Sequence, residues 1–546
     1  MFVFVERQGL VPGRGMVFSS FPDLGAALIA SALNREGIET KFIEGVNRWL
    51  VRLLSDPDKL LYSAGRYDSD TRAGRLRKSF SVLGPSGFRD QVEKTISTFT
   101  TNAQNDFFSI ELLDRAIGII EAAHDIFEHE MESMGPTRHP FVIELAEEIA
   151  SHSPRLAGFS LAGYPEPVTR SVIELLARKH GIPTVGGGWI TLGKNIRELE
   201  EIRKAWGLDW MAGGPGENTL SMLYEKMADR KIDIPNLVGR KIEKPKMLPT
   251  KDPAPLTPLF DQLMDRHYFA PATTLPLSSN TGCYWKKCAF CPQGYNISPY
   301  REKNPELLVE IIEQGVIKWG ARHYFFVDEC ISPGFAEKFC RLILKKGIDH
   351  VHFASMARPE KRFDRNLLEL MASCGFEELL WGIESGNQRV LDLMSKGTRI
   401  NEIEKVLELS HGAGIANYGF LLVGFPGERR YEAEATLNFA KRHRAWLDGA
   451  QLSRFVVYST SEVGKEPEKF GLKLANKLSS REVNVLQVEK GLHPRKEQDS
   501  MYAKFVTNYN QYTNGNYVSF PHRYYASHSL LSLLYKKRSG LQANQT

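Results

Sequence analysis

Cys283-Tyr-Trp-Lys-Lys-Cys288-Ala-Phe-Cys291 places three thiols within nine residues. The whole chain of 546 residues has six cysteines, all between Cys283 and Cys374. A secreted disulfide scaffold would spread its cysteines along the chain. Three on one short segment read instead as a metal site. Three thiolates can hold three irons of a [4Fe–4S] cluster and leave the fourth iron open to a ligand. A structural zinc site wants four donors, often as two spaced pairs. Cys330, Cys340, Cys374 or a histidine would then have to supply the fourth, and none stands in a paired motif. At this level iron–sulfur and zinc both remain open.

The elements around the cysteines alternate between strand and helix. Leu275–Ser279 reads as a strand directly before the cysteines, so the thiolates emerge at a strand's C-terminal end, where parallel α/β folds build their sites. Further strands are expected near Tyr324–Val327, Val351–Ala354, Leu379–Ile383 and Tyr418–Val423, with helical periodicity between them. A second alternating block lies at the N-terminus. Phe2–Val5, residues near Lys41, Leu156–Leu161, Pro183–Gly188 and Trp210–Ala212 read as strands. Helices are expected over about 21–37, 167–180 and 218–226. Residues about 46–150 are read as a largely helical insertion, clearest at Ile110–Ala123, with a polar loop over 63–86. Residues 231–270 are rich in proline and charge, which is linker chemistry. Repeated strand–helix units imply parallel sheets covered by helices.

Composition excludes several classes. Hydrophobic residues are 42% and charged residues 25%, as in globular proteins. The net charge of +5 is too small a surplus to make nucleic acid or an anionic membrane the expected partner. No apolar run approaches the ~20 residues of a membrane span. The start lacks a basic segment followed by an apolar one, so a cytoplasmic location is expected.

The cysteine segment resembles the cluster loop of the radical S-adenosylmethionine (radical SAM) enzymes. Cys288-Ala-Phe-Cys291 fits the second half of their motif, with Phe290 as the aromatic. The first gap has four residues where the family usually has three. Four downstream segments resemble the family's strand ends in order. These are Phe325-Phe-Val-Asp328-Glu329, Ala354-Ser-Met-Ala-Arg358, Trp381-Gly-Ile-Glu384-Ser-Gly386 and Gly424-Phe-Pro-Gly-Glu428. The resemblance implies that Cys283, Cys288 and Cys291 hold a [4Fe–4S] cluster. It further implies that Phe290, Asp328, Arg358, Glu384 and Gly424 line the S-adenosylmethionine (SAM) site, Phe290 on the adenine and Arg358 on the carboxylate. The chemistry it implies is one-electron cleavage of SAM to a 5′-deoxyadenosyl radical, fed by a flavodoxin- or ferredoxin-type donor that Lys286-Lys287 and Arg429-Arg430 could guide.

The N-terminal block is similar to the cobalamin-binding domain that precedes the barrel in one radical SAM class. The residues that carry this likeness are Ser160, Gly186, Gly187, Gly188, Gly213, Gly214 and Glu217, all near strand ends. Asp-x-His-x-x-Gly, whose histidine ligates cobalt in many such domains, is absent, as is Gly-x-Gly-x-x-Gly after the first strand. The resemblance implies an α/β fold. A doubly wound cobalamin-type domain would occupy 1–235, with its insertion at 46–150. A linker at 236–270, a partial (β/α)6 barrel at 271–455 and a mixed α+β extension at 456–546 would follow. The implied reaction is methylation of an unactivated carbon of a peptide or natural product. Cyclisation or oxidation without methyl transfer, a methylthiotransferase-like activity and a zinc-stapled binding protein are the competing readings. The first 282 residues contain no cysteine, which argues against the methylthiotransferase reading. Cys330 is a weak catalytic candidate, Cys340 and Cys374 read as core, and His522, Tyr524, Tyr525 and His528 form an aromatic–basic tail.

Overall fold

The computed structural model describes residues 1–5, 22–45, 126–127, 129–161, 167–191, 193–248, 256–264, 273–292, 299–478, 485–492, 495–508 and 511–512, with scattered positions between 48 and 93. The helix expected at 110–123, most of the loop at 63–86 and the tail with His522 and His528 lie outside the described residues. The chain divides into two compact units. The described residues up to 264 form the first, and those from 273 onward form the second.

Unit 1 is a six-stranded sheet, with β1 (Phe2–Val5), β2 (Thr40–Ile43), β3 (Leu156–Ser160), β4 (Thr184–Gly187), β5 (Trp210–Ala212) and β6 (Leu237–Gly239) in the order β2-β1-β3-β4-β5-β6. All pairs are parallel except β5–β6. The order reverses direction between β1 and β3, and in doubly wound sheets that switch point is where ligands settle. Two elements differ from the sequence expectation. Leu237–Gly239, inside the stretch read as linker, is the antiparallel edge strand. Ile196–Trp206 is a helix, opened by an Asn195–Glu198 capping box and closed at Gly207 with φ +74°.

Unit 2 is built on six parallel strands in sequential order. These are β7 (Thr274–Leu277), β10 (His323–Phe326), β11 (His352–Ala357), β12 (Phe376–Glu384), β13 (Ala416–Val423) and β14 (Gly449–Arg454). Sequential parallel strands joined by helices curl into a barrel wall. With six strands and no β7–β14 pairing among the described residues, this one stays open, as a partial barrel. The crossover helices start where the sequence supplies caps. Asn304, Ser332, Asp364 and Asn387 each accept a backbone N–H from the first turn of the helix they open. β14 was not anticipated. Its sequence, Gly-Ala-Gln-Leu-Ser-Arg, carries little strand propensity and is held by its neighbour β13.

Two short pieces, β8 (Asn280–Thr281) and β9 (Arg301–Glu302), pair around the cysteine loop. Beyond β14 come β15 (Val457–Tyr458), β16 (Lys473–Leu478) and β17 (Val485–Lys490), an antiparallel sheet in the order β15-β17-β16. The helix Arg495–Thr507 follows.

One buried amide fixes the last three barrel strands. Asn417 of β13 is fully buried; it accepts from Trp381 Nε1 of β12 at 2.7 Å and donates to the carbonyls of Leu407 (2.9 Å) and Trp446 (2.8 Å). Its own N–H donates to Asp448, just before β14. Asn417→Leu orphans three buried polar partners at about 1–3 kcal/mol each. Thermal or denaturant unfolding of that variant should show a loss of about 3 kcal/mol or more; a loss under about 1 kcal/mol would contradict this account of the strand alignment.

Candidate functional site

The C-terminal ends of the barrel strands converge on the cysteine loop. The loop leaves β7 through Ser279 and Asn280. Buried Asp328, just past β10, accepts the N–H of Ser279 at 2.6 Å and that of Asn280 at 3.3 Å. Asn280 Nδ2 in turn donates to the carbonyl of Cys330 at 3.1 Å. Burial pushes the Asp328 carboxyl up, and the hydrogen bonds from Ser279 oppose that rise. Asp328 thus ties the second strand end to the first. It aims the loop, its two oxygens accepting from the backbone of Ser279 and Asn280.

Within the loop, Cys283 lies against Cys330. The thiol of Cys330 and the backbone N–H groups of Lys286 and Trp285 surround its sulfur and lower its pKa to about 6, against the opposing effect of burial. Cys330, nearly inaccessible, is pushed well above its ordinary value by the same contact and by burial. The thiolate of this pair therefore sits on Cys283. Cys288 is raised to about 11 by burial, with the Lys396 ammonium opposing. A turn joins the last two thiols, Cys291 N–H donating to the carbonyl of Cys288 at 3.1 Å. The Tyr284 phenol, beside Cys330, is pushed up by burial.

Around the loop stands a set of buried charges. Arg358, 5% exposed at the end of β11, donates to Glu360 at 2.5 Å and to the carbonyl of Lys396 at 2.6 Å. Glu384, at the end of β12, accepts from Lys396 Nζ at 3.0 Å. Glu384 has φ +64° and follows a break in the β12–β13 register, which turns its carboxylate off the regular strand path. Gly382 leaves the space that Lys396 fills: a Cβ there would lie 2.7 Å from Nζ. Burial pushes the Lys396 ammonium down, but the Glu384 carboxylate above all, with Cys288 beside it, outweighs this and holds it above its ordinary value. Lys396 Nζ also lies 5.8 Å from the centre of the Phe290 ring. Cys283, Cys288, Phe290, Arg358 and Glu384 are thus brought together. Lys396 joins them, a residue that the sequence reading did not single out.

Gly424, at the end of β13, has φ +88° and donates its N–H to Glu428. A Cβ there would lie 2.5 Å from Gln498, so this glycine accommodates the C-terminal helix. Cys340 and Cys374 are buried between helices, their sulfurs 2.7 Å apart and away from the loop. Among the described residues, no three His, Cys, Asp or Glu side chains are grouped to share one metal ion.

In unit 1 the expected ligand residues fall into two sets. Ser160, Gly187, Gly188 and Gly214 lie at the C-terminal ends of β3, β4 and β5, Ser160 beside the switch point, with Gly188 and Gly214 exposed. Gly186 and Gly213 are packing glycines. A Cβ on Gly186 would meet Leu208 at 2.5 Å, and one on Gly213 would meet Leu199 at 2.9 Å. Glu217 is buried in the first turn of the helix Gly216–Lys226.

Residues 277–440 match the model of the radical SAM superfamily. Unit 2 carries a radical SAM domain. The chain is 23% identical over 270 residues to an uncharacterized methyltransferase of Pyrococcus horikoshii, PH0819, covering 47% of this chain and 57% of that one. It is 27% identical over 159 residues to the anaerobic magnesium-protoporphyrin IX monomethyl ester cyclase of Cereibacter sphaeroides, covering 28% of this chain and 26% of that one. These matches therefore span a quarter to somewhat over half of the relatives' length. Among solved structures, the radical SAM methyltransferase TsrM of Kitasatospora setae, with cobalamin and a [4Fe–4S] cluster bound, superposes with a TM-score of 0.60 over 99% of both chains at 13% identity. The cobalamin-dependent radical SAM enzyme OxsB, with aqua-cobalamin and SAM bound, gives 0.60 over 98% of this chain and 71% of that one, also at 13% identity. At such identity these are likenesses of fold.

A radical SAM domain takes a [4Fe–4S] cluster and SAM, and the residues fit both. Three thiols on one loop, one of them drawn toward its ionised form, are the donor set for the cluster. Arg358 Nε is buried with no acceptor among the described residues, as a site for an anionic group requires. In the iron-free chain the Cys283 thiolate forms above pH about 6, whereas Cys288 needs about pH 11. Only the thiolate alkylates. At pH 7.5, iodoacetamide should therefore label Cys283 at least tenfold faster than Cys288, read by peptide mass analysis. Equal rates would contradict the pairing with Cys330.

Proposed function

We propose that this chain is a cobalamin-dependent radical SAM enzyme that methylates an unactivated carbon of a peptide or natural-product substrate. The observation that carries the reading is the meeting of Cys283, Cys288, Phe290, Arg358, Glu384 and Lys396 at the C-terminal mouth of a radical SAM domain's parallel strands. Methyl transfer is the activity named for both the Pyrococcus relative and the Kitasatospora structure.

Cys283, Cys288 and Cys291 hold the cluster, which supplies the single electron that splits the SAM sulfonium and yields an adenosyl radical. Arg358 receives the SAM carboxylate through its unpartnered N–H. Glu384, already turned off its strand and paired with Lys396, faces the amino or ribose groups. Phe290 offers an apolar face to the adenine. Asp328 keeps the loop aimed through Ser279 and Asn280. The buried character of these groups keeps water away from a reactive carbon radical. A flavodoxin- or ferredoxin-type donor meets the loop near exposed Lys287.

Cobalamin, the source of the transferable methyl, is assigned to the strand-end edge of unit 1. Three observations support this: the switch point of the β2-β1-β3-β4-β5 order, the glycine turns at Gly187, Gly188 and Gly214, and exposed apolar side chains beside them. Trp189 follows Gly188 and is 43% exposed; Met247, within 3.4 Å of where a Cβ on Gly213 would stand, is 40% exposed. Without Asp-x-His-x-x-Gly, no histidine from that motif ligates the cobalt.

Anaerobic purification with iron and sulfide should give a brown protein with about four irons per chain. Dithionite and SAM should then yield 5′-deoxyadenosine, and Cys288→Ala should abolish that product while leaving unit 1 folded. Mass analysis of an acid extract should find cobalamin. A colourless chain with one zinc would overturn the cluster assignment, and a cobalamin-free extract from cobalamin-supplied cells would overturn the methylation reading.

A further inference from the structure

The four-residue gap between Cys283 and Cys288 has a structural consequence at Trp285. Lys286 adopts φ +57°, an uncommon conformation for a side-chain-bearing residue, and so turns the loop between the two thiols. The Trp285 indole is then seated by three contacts. Its Nε1 donates to the carbonyl of Ser395 at 3.0 Å. Its six-membered ring lies so near Gly397 that a Cβ there would stand 2.0 Å away; Gly397 also has φ +66°, so only glycine fits the position. The guanidinium of Arg358 lies over the indole at 3.8 Å from the ring centroid.

Arg358 is thereby fixed by Glu360, by the carbonyl of Lys396 and by the Trp285 face, while its Nε is left buried without an acceptor among the described residues. A stacked guanidinium keeps its N–H groups directed outward in the plane, whereas an unstacked one rotates about its long stem. We infer that Trp285 is the positioning residue for Arg358: the extra residue in the first cysteine gap seats its indole between the Met394–Gly397 turn and the guanidinium, and this orients Arg358 toward the carboxylate of the sulfonium cofactor. The inference rests on the reading of Arg358 given above.

A double-mutant cycle on the full, anaerobically reconstituted chain tests it. Trp285→Ala, Trp285→Phe, Arg358→Gln and the double variant Trp285→Ala/Arg358→Gln are each analysed for iron content. Their SAM affinity is then measured by equilibrium dialysis with labelled SAM. Trp285→Ala should keep its iron, about four per chain, and bind SAM about tenfold more weakly; Trp285→Phe, which keeps an aromatic face, should recover most of that loss. In the Arg358→Gln background, Trp285→Ala should cost less than about twofold, because there is no guanidinium left to position. A loss that stays tenfold without Arg358, unchanged affinity in Trp285→Ala, or a fall in iron content that matches the fall in affinity would each overturn the inference. Wild-type protein that takes up no iron would instead fell the assignment of the cysteine loop, and the inference with it; iron content separates that failure from the others.

Discussion

A loop that must present three thiolates outward cannot also be a strand or a helix, so its polar groups need partners from elsewhere. In this chain much of that demand falls on one turn. Met394, Ser395 and Lys396 follow the helix Gln388–Leu393, and their three successive carbonyls accept from Ala289 N–H, Trp285 Nε1 and Arg358 Nη2. Ser395 has φ +53° and Gly397 φ +66°, a tight reversal in which consecutive carbonyls become available to different neighbours. The same turn delivers the Lys396 ammonium to Glu384. The cysteine loop, the arginine of β11 and the glutamate of β12 are therefore registered against one another through four residues of backbone. Asp328 supplies the second anchor, at the point where the loop leaves β7.

The charges gathered here would be costly as mere scaffolding. Arg358, Lys396, Glu384 and Glu360 lie close together, three of them largely buried, and a buried ion pair seldom repays its desolvation against an apolar replacement of similar size. Fold stability alone gives little reason to keep them. Two cations beside a loop that becomes anionic when its thiols ionise do have a use: they offset the charge that the thiolates bring. The shift of Cys283 to about 6 has a related origin, since a thiol and two loop N–H groups surround its sulfur. The protein alone thus draws Cys283 toward its thiolate, while burial holds Cys288 as the thiol.

Sequence reading recovered what depends on side-chain type and period. The strands that carry Cys283, Asp328, Arg358, Glu384 and Gly424 were expected within a few residues of their positions, because buried parallel strands are continuous apolar runs and each ends in a polar or glycine turn. What it could not recover was made by backbone. The carbonyls of residues 394–396 leave no mark on the sequence, so nothing in it singled out Lys396 or tied Trp285 to Arg358. Glycines were ambiguous for the same reason: Gly186 and Gly213 are small because Leu208 and Leu199 press on them, Gly188 because its φ of +104° and the Leu161 backbone leave no room for a Cβ, while Gly187 has only ordinary contacts, and nothing in the letters separates these cases. The helix Ile196–Trp206 did carry a signal, Asn195 three residues before Glu198, that went unread. Asp328 was in the expected place but serves the loop's backbone.

The chain beyond β14 is part of the structure that holds the site. The C-terminal extension packs directly on the cysteine loop. Val463 N–H donates to the carbonyl of Ala289, and Thr460 to that of Pro292. Ala289 shares one apolar cluster with Val390, Met394, Leu422, Phe425, Phe455, Val457, Val463 and Leu472, which spans the loop, β13 and the extension. The helix Arg495–Thr507 adds Gln498 over Gly424, while its Asp499 and Tyr502 hold Arg454 at the end of β14. Gly424, at φ +88°, suits glycine by its backbone and lies under the Gln498 side chain. An extension read from sequence as a mixed tail therefore packs on the cysteine loop, and its described residues are as much a condition of that loop's shape as the strands that precede it.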